Sequence, residues 1–275
     1  SPLWRSPVAP DRLRSHRPTI ACAPRNLGRA SSSAGGGASG YSNFKGNYPV
    51  FAEAGYRTLV PDLLGYGLSS KPDLAQYDLD FFIHGVKGLV DGLGLKKVTL
   101  LGNSLGGAVA LGYALAYPED VSRLILMAPG GVEDLDTYLA MPGIANMFDI
   151  YKSGKTGAEA MRAVMTMQLF DPSLLSDEII NERAPIAATQ TNAARSVLKV
   201  PNMTTRLHEL RCPVFGFWGV NDLFNPASGT TSPPASGVLA QDSELAAAPL
   251  APEPLLALPT TLPGSAVLDA SGLAS

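Results

Sequence analysis

The stretch Val98-Thr-Leu-Leu-Gly-Asn-Ser104-Leu-Gly-Gly107 determines how the rest of this 275-residue sequence is interpreted. A run of β-branched and aliphatic residues comes first, then Gly-x-Ser-x-Gly, then small residues that are typical of a buried helix. This order predicts a nucleophile elbow, a sharp strand-to-helix turn that presents a serine at the carboxyl edge of a sheet. Gly-x-Ser-x-Gly also occurs in ordinary strand-to-helix turns, but the flanking strand and helix favour the catalytic interpretation. Ser104 is therefore a candidate nucleophile, and the first N–H groups of the helix are candidate oxyanion donors.

The composition and net charge argue against several classes of function. A net charge of −3 gives no electrostatic basis for binding nucleic acid or an anionic membrane surface. No apolar run reaches the length of a membrane span. The two cysteines, Cys22 and Cys212, stand in unlike contexts, which favours free thiols in a reducing compartment. We therefore expect a cytoplasmic protein that binds neither nucleic acid nor membrane.

Helices alternate with strands through the middle of the chain, which predicts a doubly wound, mostly parallel sheet of the α/β class. We assign residues 40–132 and 211–226 to this α/β core and residues 133–210, which are mostly helical in pattern, to a lid inserted between two strands. Asp62, after the first of these strands, has the pattern of a turn residue. The predicted helices span 44–54, 77–93 and 105–117, and the predicted strands span 56–60, 98–102, 121–127 and 213–218.

Both ends of the chain depart from a globular composition. Residues 1–39 are rich in Arg, Ser and Pro and show no sustained period, so we expect a disordered tail followed by a loop over 31–40. Residues 227–275 contain no Lys, Arg, His or aromatic residue, and we expect a low-complexity tail without regular elements. The abrupt changes near Ser33 and Ala227 lead us to expect ends that are out of frame with, or spliced differently from, an ancestral gene. The fold would then be incomplete at both termini.

Five motifs together resemble the meta-cleavage product hydrolases, α/β-hydrolases that split carbon–carbon bonds in ring-fission products of aromatic and steroid degradation. The resemblance covers residues 37–226 and implies an α/β-hydrolase fold with a helical lid. The motifs are Ala38-Ser-Gly-Tyr-Ser-Asn-Phe44, Tyr56-Arg-Thr-Leu-Val-Pro-Asp62, Gly102-Asn-Ser-Leu-Gly-Gly107, Leu126-Met-Ala-Pro-Gly-Gly131 and Trp218-Gly-Val-Asn-Asp222.

The resemblance also implies roles for individual residues. Ser104 matches the nucleophile and Asp222 the acid that orients a catalytic histidine. The backbone N–H groups of Leu105 and Ala34 match the oxyanion donors. The remaining matches bind the substrate, a 2-hydroxy-6-oxo-dienoate that is ketonised and then attacked at its C6 carbonyl. They are Asn43, Asn103, Arg183 and Trp218. A guanidinium at Arg183 suits the substrate's carboxylate because it can bind it through two parallel hydrogen bonds.

One element of the family pattern is missing. The order in this fold is Ser, acid, His, yet His16, His84 and His208 all precede Asp222. The patterns around His84 and His208 indicate surface residues. Loss of the base costs on the order of 10⁶-fold in rate in a well-studied protease. We therefore expect a chain of the family whose activity is impaired or lost.

Three functions remain open from the sequence. The first is hydrolysis of a carbon–carbon bond in a dienoate. The second is a carboxylesterase of the same fold, which would use Ser104 without needing Asn103 or Arg183. The third is a non-catalytic derivative that binds carboxylates or a partner. In each case the expected ligand is a small-molecule carboxylate or ester, no cofactor or metal is implied, and a homo-oligomer stays open.

Overall fold

The computed structural model describes residues 30–35, 39–73, 77–191, 200–219, 221–225 and 237–241. Their six strands form one parallel sheet, β1 (Ala30–Gly35), β2 (Arg57–Leu59), β3 (Val98–Asn103), β4 (Val121–Met127), β5 (Val214–Trp218) and β6 (Gly237–Gln241). The spatial order is β2-β1-β3-β4-β5-β6, so the strand that precedes Ser104 lies inside the sheet. The carboxyl ends of β1, β3, β4 and β5 meet at one edge, where ligands bind in open α/β sheets. The α/β prediction is confirmed.

The expectation of a loop over 31–40 was wrong, because β1 occupies Ala30–Gly35 and α1 (Gly40–Phe44) follows. β1 pairs with β2 on one side and with β3 on the other. Main-chain hydrogen bonds to both neighbouring strands hold this Ser- and Gly-rich segment in a strand, although it has no hydrophobic alternation. For the same reason a pattern search fails to find it.

The expectation of no regular element after residue 226 was also wrong. All five residues of β6 pair with β5, from Val214 with Gly237 to Trp218 with Gln241. A five-residue strand without polar alternation gives little signal beside Ala- and Pro-rich sequence. The predicted tails over residues 1–29 and 242–275 lie outside the described residues.

Helices cover the sheet. The predicted helix 44–54 corresponds to α2 (Tyr48–Glu53), which has Pro49 in its first turn, while α1, capped by Ser39, ends at Phe44. The next two helices are α3 (Leu79–Gly92), capped by Asp78, and α4 (Leu105–Ala116), which follows the elbow. Both agree with the predicted helices to within two residues at either end. All residues of α4 from Leu105 to Ala114 are buried. A helix that is apolar on every side belongs in the core, and α4 lies between β3 and α3.

Between β4 and β5 the described elements are helical, in keeping with the predicted character of this region. They are α5 (Leu135–Leu139), α6 (Pro142–Lys152), α7 (Gly157–Gln168), α8 (Asp177–Ala188) and 3-10 turns at Pro172–Leu174 and Thr204–Glu209. α7 and α8 enclose a small core of their own around Met165 and Ile180. Among the described residues, no helix is long and apolar enough to cross a membrane.

Candidate active site

Ser104 lies between β3 and α4 in a backbone conformation that non-glycine residues rarely adopt. Its φ is 51° and its ψ is −117°. Its N–H donates to the Met127 carbonyl at 3.0 Å, and its own carbonyl accepts from Ala108 N at 3.1 Å and Gly130 N at 2.9 Å. Strain of this kind costs about 1–3 kcal/mol and persists only where the surroundings hold it. The turn is thus fixed from both β4 and α4, with the serine at the sheet edge.

The glycines of the motif are required by close backbone contacts. A Cβ on Gly102 would lie 2.3 Å from the Gly106 carbonyl oxygen, and one on Gly107 would lie 2.6 Å from the Cβ of Pro129. Both distances are far below van der Waals contact. The spacing of Gly-x-Ser-x-Gly therefore reflects the tight packing of β3 against α4.

A small cavity of about 60 Å³, partly open to solvent, lies beside Ser104. Its walls come from the elbow, the turn after β4, the mostly helical segment between β4 and β5, and the end of β5, and they are mainly apolar. The lining residues are Ser104, Leu105, Pro129, Gly130, Gly131, Val132, Glu133, Leu135, Tyr138, Val200, Trp218 and Asn225. Ser104, Leu105 and Trp218 are the predicted site residues that the cavity brings together.

Asp222 lies half-buried just after β5. Its Oδ1 accepts from Phe224 N at 2.7 Å and from Asn225 N at 3.0 Å, so the carboxylate fixes its own loop. Asn225 is buried, donates through Nδ2 to the Ala128 carbonyl at 2.9 Å and lines the cavity. Burial, and secondly the charge of Asp222, raises the pKa of Tyr138 to about 12. The acid thus lies close enough to the cavity to act on a group in its wall.

Arg183 and Asn43 form the second polar pair. Arg183 Nη2 donates to Asn43 Oδ1 at 2.6 Å, linking α8 with α1 across 140 positions of sequence. Arg183 is only 9% exposed, and its Nε is buried without a hydrogen-bond partner among the described residues. Burial lowers the pKa of this guanidinium, and Glu182 opposes that shift. A buried cation with an unused donor is suited to receive an anion.

Asn103 and Ala34 lie on neighbouring strands at the same sheet edge. Asn103 ends β3, is half-buried, and donates through Nδ2 to the Met127 carbonyl at 3.1 Å. Ala34 pairs with Gly102 near the end of β1. Asn103 does not line the cavity described above.

The histidines do not complete a triad within the described residues. His84 on α3 and His208 on the Thr204–Glu209 turn are both exposed, and neither lines the Ser104 cavity. His16 lies outside the described residues. The same part of the chain contains no cluster of His, Cys, Asp and Glu that could hold a metal ion.

Comparison with known proteins agrees with this architecture. The family model described as "alpha/beta hydrolase fold" matches residues 34–243. A 2-hydroxy-6-oxononadienedioate/2-hydroxy-6-oxononatrienedioate hydrolase from Comamonas testosteroni is 35% identical over 201 residues, which are 70% of each chain. A 2-hydroxy-6-oxo-6-phenylhexa-2,4-dienoate hydrolase from Burkholderia cepacia is equally similar, with 35% identity over 201 residues and 70% of each chain covered.

The chain belongs to the meta-cleavage product hydrolase family. The resemblance read from the five motifs is confirmed. The region of the chain that matches the family model extends beyond residue 226 and includes β6.

Solved structures share the fold. A meta-cleavage product hydrolase from Pseudomonas fluorescens IP01 superposes with a TM-score of 0.66 at 20% identity, covering 82% of this chain and 84% of the other. The 2-hydroxy-6-oxo-6-phenylhexa-2,4-dienoate hydrolase from Rhodococcus sp. RHA1 gives 0.65 at 23% identity, covering 78% and 82%. At these identities the likeness shows the fold alone.

Sequence reasoning missed several residues of this candidate site. Asn225 follows Asp222 by three positions, the spacing of a side-chain-capped turn, and that spacing was an available signal. Tyr138 and Glu133 reach the cavity through the path of the lid, which no local pattern indicates. Asp62 is more than a turn residue, because its carboxylate is buried and bonded at both oxygens.

Proposed function

We propose that this chain binds 2-hydroxy-6-oxo-dienoates and acts on their C5–C6 bond through Ser104. Arg183 and Asn43 hold the substrate carboxylate, Asn103 contacts the dienol end, and Trp218 lines the space for the group on C6. The observation that carries the proposal is the buried Arg183–Asn43 pair with its unused Nε donor. The names of the curated relatives, which act on substrates of this class, support the same conclusion.

The proposed chemistry follows from the geometry of the elbow. The dienoate is first ketonised, which moves its enol proton to C5. Ser104 Oγ then gives up its proton and bonds to C6, the N–H groups of Leu105 and Ala34 bind the oxygen that becomes negative, and the C5–C6 bond breaks. The electron pair of that bond is delocalised from C5 onto the C2 oxygen, which takes the proton lost by Ser104 and gives a 2-hydroxypentadienoate. Water hydrolyses the acyl-serine to a carboxylic acid. Asp222 is the acid of the site.

We further propose that this chemistry is slow here. The serine proton needs an acceptor, and within the described residues the two histidines are exposed and away from the cavity. A neutral serine without a base is a weak nucleophile. The same observation favours the second candidate, a derivative that binds the dienoate without turning it over.

The test is to mix excess protein with 2-hydroxy-6-oxo-6-phenylhexa-2,4-dienoate and to follow both the dienoate absorbance and the formation of benzoate. The proposal predicts saturable binding and slow benzoate formation that the Ser104→Ala variant abolishes. Binding without any benzoate supports the non-catalytic candidate. No saturable binding contradicts both.

The carboxylesterase alternative needs a separate substrate. A simple phenyl ester lacks the carboxylate that Arg183 is proposed to hold. Replacing Arg183 should reduce dienoate turnover and leave ester hydrolysis nearly unchanged. Equal losses on the two substrates would argue against the dienoate proposal.

A further inference from the structure

Asp62 is a buried carboxylate outside the cavity, and both of its oxygens are bonded to backbone. Its side chain is in the loop after β2 and only 6% of the residue is exposed. Oδ1 accepts from Gly40 N at 2.7 Å, and Oδ2 accepts from Leu68 N at 2.8 Å. Its own carbonyl accepts from the Ser69 hydroxyl at 2.7 Å. One carboxylate therefore joins the start of α1 to the loop around Gly67.

The backbone packs closely around Asp62 at two glycines. A Cβ on Gly67 would lie 2.1 Å from Asp62 Oδ2, and one on Gly40 would lie 2.3 Å from the Pro61 carbonyl oxygen. Both glycines thus allow the backbone to close around this carboxylate. Packing this tight holds the first residue of α1 at one position relative to the sheet.

α1 carries Asn43, and this makes the position of the helix functionally important. The helix has only five residues, Gly40–Phe44, and too few internal hydrogen bonds to be stable alone. Asn43 N donates to the Ser39 carbonyl at 3.2 Å, within the turn that Gly40 begins. Asn43 Oδ1 in turn accepts from Arg183. A shift of Gly40 is therefore transmitted to Asn43 and to the guanidinium.

We propose that Asp62 is a positioning residue for the carboxylate-binding pair Asn43 and Arg183. It acts through the N–H of Gly40 and does not touch the substrate. This inference rests on the proposed function, since the pair matters only if it binds a carboxylate. A carboxylate suits the position because it offers an acceptor to each of the two N–H groups.

The Asp62→Asn variant tests the inference. An amide keeps one oxygen, so either Gly40 N or Leu68 N loses its acceptor and faces an NH₂ group. We expect the affinity for 2-hydroxy-6-oxo-6-phenylhexa-2,4-dienoate to fall about tenfold. Asp78→Asn is the matched control, because Asp78 Oδ1 also accepts from a helix N–H, that of Phe81 at 2.8 Å, on a helix unconnected with Asn43. The control should change the affinity less than twofold.

A double-mutant cycle separates positioning from a general structural role. If Asp62 acts through Asn43, the Asp62→Asn, Asn43→Ala double variant binds the dienoate no more weakly than Asn43→Ala alone. Independent effects that multiply would overturn the inference. So would an Asp62→Asn variant whose affinity matches that of the Asp78→Asn control.

Two further measurements keep the test decisive. If Asp62→Asn does not fold, Ser39→Ala replaces it, because Ser39 Oγ caps α1 by accepting from Ser42 N at 3.0 Å. Ser39→Ala should weaken dienoate binding by about threefold, and an unchanged affinity would overturn the inference.

If the wild-type chain binds no dienoate, the proposed function fails, and amide exchange then tests the positioning role of Asp62 separately. The Asn43 amide should exchange about tenfold faster in Asp62→Asn than in Asp78→Asn, and equal rates would contradict the positioning role.

Discussion

Replacing Arg183 by methionine should separate binding from stability, because the two respond in opposite directions. Arg183 is 9% exposed, its Nε has no partner among the described residues, and Nη2 has the neutral amide of Asn43. A hydrogen bond to a charged group contributes about 1.5–3 kcal/mol. Losing a carboxylate held by this guanidinium should therefore weaken dienoate binding by about 10-fold to 150-fold.

The free protein should tolerate the same change. An unsatisfied buried donor costs about 1–3 kcal/mol, while the bond to Asn43 contributes about 1 kcal/mol. Replacing a buried, incompletely paired charge by an apolar side chain is often neutral or stabilising. We expect the free energy of unfolding of Arg183→Met to be unchanged or higher by up to about 2 kcal/mol.

The assay pairs a dienoate titration, followed by absorbance, with urea unfolding without ligand. Arg162→Met is the matched control, because Arg162 is exposed and pairs with Asp177 at the surface. Exposed pairs contribute about 0–1 kcal/mol, so this variant should change neither measurement appreciably. Unchanged dienoate affinity in Arg183→Met, or a loss of stability greater than about 2 kcal/mol, would refute the assignment of Arg183 to ligand binding.

Two other predictions concern the cavity. Ser104 has a φ of 51°, a conformation that glycine adopts more easily than alanine. In urea titrations the free energy of unfolding of Ser104→Gly should therefore be about 1 kcal/mol higher than that of Ser104→Ala. A glycine variant that is less stable than the alanine variant would show that the turn is not strained. Because burial and the charge of Asp222 raise the pKa of Tyr138 to about 12, the unfolded chain loses this proton first, above about pH 10. The Tyr138 hydroxyl should therefore lower the free energy of unfolding by about 1.4 kcal/mol per pH unit between about pH 10 and pH 12. In the Tyr138→Phe variant the free energy of unfolding should fall less steeply over that range. Identical slopes in the two proteins would contradict the raised pKa.

The parts of the fold that could be predicted are those with a strong local pattern. β3, α4 and β4 were predicted closely because aliphatic strands and a helix apolar on all sides give clear signals. β1 could not be predicted, because backbone pairing with two neighbouring strands forms it from serine and glycine. The boundary between α1 and α2 depends on the Ser39 cap of α1 and on Pro49 in the first turn of α2, and neither residue belongs to a hydrophobic pattern.

The residues of the candidate site also differ in how far the sequence could predict them. Ser104 and its glycines belong to one continuous motif, so their arrangement follows from local sequence. The Arg183–Asn43 pair joins two distant segments, and only the resemblance to a family indicated both residues. Tyr138 and Asn225 reach the cavity through the paths of the lid and of the loop after β5, which are tertiary features. The sequence predicts a turn at Asp62, but a turn signal does not reveal which N–H groups donate to its carboxylate.

The central claim is that Ser104 is the nucleophile of a dienoate site and that, among the described residues, no imidazole is placed to act as its base. The most direct test is the rate at which a fluorophosphonate labels the chain at neutral pH, with the modified residue located by mass spectrometry and the Burkholderia cepacia relative as reference. We predict an adduct on Ser104 that forms at least about 10³-fold more slowly than in the relative. Labelling of Ser104 at the relative's rate, or labelling of another residue in its place, would contradict the account.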